Sequence, residues 1–128
     1  MEFHSEYLDD LGIVLSTAIG EMTQDDLLAM ARAGMALAAK HHTSKVLLDH
    51  RRMLPVLSVV EILRTPEKLQ ALGLTQTLRV ATLYSPDNPR IKDFEFYDNV
   101  AFLQGLSHAL FVDYDAALRW LMREASQQ

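Results

Sequence analysis

At 128 residues, with 49% hydrophobic and 23% charged side chains, the chain has the composition of one globular domain and not of a disordered segment. A formal net charge of −5 leaves no basic face for sequence-independent nucleic-acid binding, and the adjacent pair Arg51-Arg52 is too small to supply one. The absence of cysteine excludes a disulfide framework, a thiol nucleophile and a zinc–thiolate site.

The opening residues MEFHSEYLDD have neither the basic nor the apolar region of a signal peptide. No apolar run approaches the roughly 18 residues needed to span a membrane, so no span and a cytoplasmic location are expected. Phe3 to Leu8 and Gly12 to Ile19 are apolar-rich stretches separated by Asp9-Asp10, and the alternation along Ile13–Ile19 predicts a β-hairpin. Thr23-Gln24-Asp25-Asp26 is a variant of the capping box and opens a helix that runs to about Lys40. Lys40 and His41 suit the negative end of that helix.

Lys45 to Asp49 has no polar alternation over Val46-Leu47-Leu48, the pattern of a buried parallel strand. Asp49-His50-Arg51-Arg52 then reads as the strand's exit, with Asp49 closing it and the basic side chains in water. Ser58 caps the next helix, from Val59 to Leu63. Pro66 is expected to interrupt it and to start a second short helix capped by Thr65 and ended by Gly73. Leu78 to Tyr84 is a strand, Ser85-Pro86-Asp87-Asn88-Pro89 a loop, and Asp93 to Gln104 a helix closed by Gly105. His108 to Val112 is the last strand, and Asp113 caps a final helix carrying Leu118, Trp120 and Leu121. The order β-β-α-β-α-β-α-β-α predicts an α/β fold: a mixed β-sheet opened by a β-hairpin, with later strands parallel and joined by crossover helices.

In such a sheet, sites gather beyond the carboxyl ends of the parallel strands. Those ends carry Asp49, His50, Arg51, Tyr84, Ser85 and Asp113. Asp49 and His50 are half of an acid–base pair by type, but neighbours on a strand point to opposite faces. No G-x-S-x-G elbow is present for a serine hydrolase. A receiver-type phosphoaspartate site is excluded as well: Asp9-Asp10 falls in the hairpin, and Asp113 stands where the chemistry needs a lysine. His41 and His42 are adjacent and not one helical turn apart, which suits a helix terminus better than a shared metal. The five glycines are scattered, so no phosphate-cradling loop is formed. No catalytic motif, metal or cofactor is expected.

Met22, Met30, Met35 and Met53 suit either core filling or an adaptable apolar pocket. In the first helix, Leu27, Met30, Ala31, Gly34, Leu37, Ala38 and His41 form a buried stripe. The opposite face offers Ala29, Ala33, Ala36 and Ala39, small residues that allow close approach, and a homodimer through this face is expected.

The hairpin with Gly20 before a helix, the strand ending Leu47-Leu48-Asp49, and Arg79-Val80-Ala81 in the next strand together resemble SpoIIAA-like proteins. So do the Val100-Ala101 helix closing at Gly105 and Asp113 leading into Ala116-Ala117-Leu118-Arg119-Trp120-Leu121. These are small bacterial relatives of the STAS domain, linked in fold to the Sec14 lipid-binding domain. The resemblance covers most of the chain and lies in core positions, not in catalytic motifs. It implies a phosphoacceptor serine at the start of the helix after the central strand, and Ser58 holds that place. Leu57-Ser58-Val59-Val60 departs from the family's Asp-Ser-Ser-Gly-like setting, which leaves helix capping as Ser58's evident duty. A phosphate there would sit at a helix N-terminus, with Arg51 or Arg52 as the expected partner. The resemblance implies a non-enzymatic regulatory or protein-interaction module, contacted around the start of the second helix and the Ser85–Pro89 loop. The alternative it implies is a small carrier holding an apolar or lipid-like ligand between sheet and helices.

Overall fold

The structure, a computed structural model, describes residues 2–123. Strands β1 (Glu2–Leu8) and β2 (Ile13–Met22) form the expected antiparallel hairpin, with Leu8 opposite Ile13. Helix α1 (Gln24–Lys40) follows a complete capping box: Thr23 Oγ1 accepts from the Asp26 N–H, and Asp26 Oδ2 accepts from the Thr23 N–H. Strand β3 (Lys45–Pro55), helix α2 (Val59–Ala71), strand β4 (Arg79–Leu83), helix α3 (Ile91–Leu103), strand β5 (Ser107–Phe111) and helix α4 (Tyr114–Met122) complete the order read from the sequence. The strands lie side by side as β1-β2-β3-β4-β5, parallel from β2 onward.

Two boundaries differ from expectation. β3 does not end at Asp49 but runs six residues further, because its far half continues to pair with β2 after β4 has ended level with Asp49. Asp49 is therefore not a strand exit. Nor does Pro66 divide α2, which is a single helix from Val59 to Ala71. Pro66 is buried, and the turn before it is anchored from outside the helix backbone. The Glu61 carbonyl accepts from Thr65 Oγ1 at 2.6 Å and from Gln24 Nε2 on α1 at 3.0 Å. Tertiary packing here outweighs the local penalty of an interior proline. Gly73, with φ +116°, then ends α2 in a Schellman pattern, the Leu74 and Gly73 N–H groups bonding to the Leu69 and Gln70 carbonyls.

Strands that advance in one direction with right-handed crossovers place their linking helices on one face, and α1, α2 and α3 lie together there. α4, after the last strand, covers the other. Under α4 the core is Ile13, Leu47, Ala81, Leu83, Ala117 and Leu121. The three-helix face buries Met22, Met30, Met53 and Phe94 at one end and Val14, Ala38 and Val46 at the other. The α1 stripe is inward as expected, with Met30, Gly34 and Ala38 buried, while Ala29, Ala36 and Ala39 are exposed.

Candidate functional site

Between the two clusters of the three-helix face the packing does not close. A cavity of about 130 Å³ lies on the sheet beneath α1 and α2, walled mainly by Met30, Ala31, Gly34, Leu48, Ile62 and Leu69. Of the methionines singled out by sequence, Met30, Met35 and Met53 line it, whereas Met22 is wholly buried in the adjoining core.

The sheet floor is set by strand alternation and by one irregularity. Val46, Leu48 and His50 face the cavity, at alternate positions of β3. Between the pairs Thr17–Asp49 and Ile19–Arg52, one residue of β2 opposes two of β3, a β-bulge at His50-Arg51. The bulge shifts the alternation by one. Arg51 and Arg52 are both exposed, and Met53 and Pro55, not Arg52 and Leu54, line the cavity beyond.

His50 is thereby sealed in, 3% exposed, and its Nε2 has no hydrogen-bond partner among the described residues. Burial, with a further push from the nearby His108, holds its pKa down to about 4, so the ring is neutral at ordinary pH. On the neighbouring strands of the same face, Thr82 Oγ1 is 2.8 Å from His108 Nε2, and His108 Nδ1 is 2.7 Å from Asp98 Oδ1 on α3. Tyr97 stands edge-on to the His108 ring, its phenol held neutral by burial. In the tautomer that carries its proton on Nδ1, His108 donates to Asp98 and accepts the Thr82 hydroxyl proton at Nε2. That is the hydrogen-bond order of a nucleophile, base and orienting acid. Thr82, however, lies within a central strand whose N–H groups are committed to the ladders on either side, so no strand amide faces its oxygen to hold an oxyanion. The chain presents a fixed polar floor in an apolar cavity.

The six residues expected at the strand ends do not converge. Asp49 and Arg51 lie away from the cavity and pair with each other, Arg51 Nη2 to Asp49 Oδ2 at 2.8 Å, and this bond holds the Asp49 carboxyl below its ordinary range. His50, between them, faces the opposite way. Tyr84 stacks on Phe94 at 5.6 Å, and His50 packs against the same ring at 6.3 Å, so these two share a neighbourhood. Ser85 Oγ accepts from the Asp87 N–H within its turn, and Asp113 caps α4 through the Ala116 N–H. Thr82, Asp98 and His108 were not singled out by sequence reasoning. Only the register, Val80 beside His108 and Thr82 beside Leu110, brings them together, and that pairing is non-local.

Ser58 is exposed and completes a capping box with Glu61: its Oγ accepts from the Glu61 N–H at 3.1 Å, and Glu61 Oε1 accepts from the Ser58 N–H at 2.9 Å. The guanidinium that reaches this turn is neither Arg51 nor Arg52 but Arg90, whose Nη2 lies 3.4 Å from the Leu57 carbonyl. Among the described residues no cluster of three metal-ligating side chains occurs, and no helix is long and apolar enough to cross a membrane.

No protein-family model matches the sequence, and no curated protein matches it significantly. Solved structures do resemble it. An uncharacterised protein of the DUF3478 family from Shewanella loihica PV-4, described as having a SpoIIAA-like fold, is 19% identical with a TM-score of 0.60, over 94% of this chain and 92% of that one. The anti-sigma factor antagonist SpoIIAA in its unphosphorylated form is 16% identical with a TM-score of 0.50, over 95% of this chain and all of that one. The chain has a SpoIIAA-like fold, a mixed five-stranded sheet with four helices, as its core pattern implied.

Proposed function

We propose that the protein is a SpoIIAA-like binding module whose cavity takes up a small, largely apolar ligand between the sheet and helices α1 and α2. The observation that carries this reading is the cavity itself: about 130 Å³ of apolar space with one buried, unpartnered polar atom, His50 Nε2, on its wall. A purely structural core would close such a space, since voids lose packing contacts and unpaired buried polar groups cost about 1–3 kcal/mol. Native mass spectrometry of protein purified without organic solvent is expected to show a retained small molecule or uptake of added toluene. Ala31→Phe, which extends a ring from the α1 wall into the space, is expected to abolish either while the fold persists by circular dichroism. Equal uptake by wild type and variant would place binding elsewhere and end this reading.

A second reading, a regulatory module with a protein partner, is favoured by one surface. Val56, Val59, Val60 and Leu63 are 45%, 67%, 57% and 52% exposed around Ser58. The Ser85–Pro89 loop stands beside them, Asn88 Nδ2 bonding to the Met53 carbonyl at 2.8 Å and Arg90 reaching Leu57. The similar SpoIIAA is named an anti-sigma factor antagonist and has an unphosphorylated form. Phosphate on Ser58 would meet the α2 N-terminus and Arg90. Intact-mass measurement of protein recovered from its native host is expected to show a phosphorylated species that Ser58→Ala removes. Its absence under every growth condition would count decisively against phosphorylation at this turn.

A further inference from the structure

Resting on the cavity reading, we infer that the ligand is a small neutral amphiphile: a compact apolar body bearing one hydroxyl group, seated against His50 and Thr82. Three features of the site lead there. The first is size. A dry, engineered apolar cavity of about 150 Å³ holds benzene, so about 130 Å³ has room for an apolar body of comparable size.

The second is charge. Among the described residues no lysine or arginine lines the cavity. From β3 the titratable group facing it is His50, from β5 His108, and from α3 Tyr97 and Asp93; α1 and α2 contribute none. Asp93 is paired with Arg90 Nε at 2.9 Å, and His108 with Asp98. His50 stays neutral above about pH 4, and Tyr97 is neutral throughout the working range. A carboxylate or phosphate would meet no lysine or arginine there, and an ammonium would meet no lining carboxylate but Asp93, already paired with Arg90. Either would bear the desolvation cost of an unpaired charge.

The third is hydrogen-bonding polarity. Thr82 sits opposite Leu48 in the β3–β4 register, which makes His50 its diagonal neighbour on the same face. In the relay, the Thr82 proton is turned toward His108, leaving Oγ1 as an acceptor. His50 Nε2 is a donor or an acceptor according to its tautomer. A hydroxyl both donates and accepts, so its one proton serves Thr82 Oγ1 while its oxygen accepts from His50 in the tautomer protonated at Nε2; an ether or an ester oxygen only accepts.

The test uses the full chain and probes with one alkyl chain and different heads: heptan-1-ol, heptanoate and heptylammonium, with toluene as the headless control, by isothermal titration calorimetry near pH 7. Heptan-1-ol is expected to bind at least about tenfold more tightly than either ion, since each ion leaves a charge unpaired. His50→Phe is expected to weaken heptan-1-ol about two- to tenfold relative to toluene measured on the same variant, one hydrogen bond's worth. His50→Gln, which keeps a polar group, should recover part of the loss. Heptanoate or heptylammonium binding as well as heptan-1-ol would overturn the neutral-head inference and leave the cavity reading standing. Failure of every probe, toluene included, would overturn both.

Discussion

Lowering the pH from neutrality to about 4 is expected to cost the protein about 3 kcal/mol of stability through His50 alone. Above the ordinary imidazole pKa of 6.5 the ring is neutral in both the folded and the unfolded chain and contributes no pH dependence. Between 6.5 and about 4 the unfolded chain takes up a proton that the buried ring refuses, so stability falls as the pH falls. Below about 4 both states hold the proton and this contribution levels off. The cause is chiefly desolvation, helped by His108 and partly opposed by Asp49 across the strand. Urea unfolding, followed by the single tryptophan, Trp120, at several pH values between 7 and 4.5, measures it. His50→Phe removes the titrating group, so its stability should decline less steeply than wild type over that range. Parallel curves would mean that His50 is solvated in solution and not sealed against the sheet.

Leu47→Ala should be the most damaging of simple truncations, at about 2–5 kcal/mol, a large share of the 5–15 typical of a domain. Leu47 is fully buried at the centre of the face that α4 covers alone, against Ile13, Ala81, Leu83, Ala117 and Leu121. No second helix on that side can move in to fill the space, so the lost transfer energy and the residual void both count. The same experiment on Leu103→Ala, 81% exposed at the end of α3, should change stability by no more than about 0.5 kcal/mol. Equal effects from the two would show that the α4 face is not the packed core described here.

The fold was legible because its signals are local. Thr23 with Asp26, Ser58 with Glu61, Gly73, Gly105 and Asp113 mark helix ends through bonds spanning three to five residues, and Val46-Leu47-Leu48 declares a buried parallel strand by composition. Pro66 misled because the bonds around it come from Gln24, more than forty residues away. The end of β3 misled for a similar reason: Arg51 and Arg52 look like solvent at a strand exit, and they are exposed, but on a strand that continues past them. Much of the cavity's polar floor was out of reach of the sequence. His50 was singled out, yet its burial follows from α3 and Phe94 packing across it, and the Thr82–His108–Asp98 chain joins three elements through sheet register. Nothing in the spacing of those three residues announces it.

One extra residue in β3 decides what kind of molecule the interior can tolerate. Were Asp49 to Pro55 paired with β2 in unbroken step, Arg52 and Leu54 would take the inward places that Met53 and Pro55 now hold. The greasy chamber would then carry a fixed guanidinium within reach of any bound headgroup. The bulge keeps both arginines in water and leaves the interior uncharged. The register of one bulge thus decides which β3 side chains face the cavity.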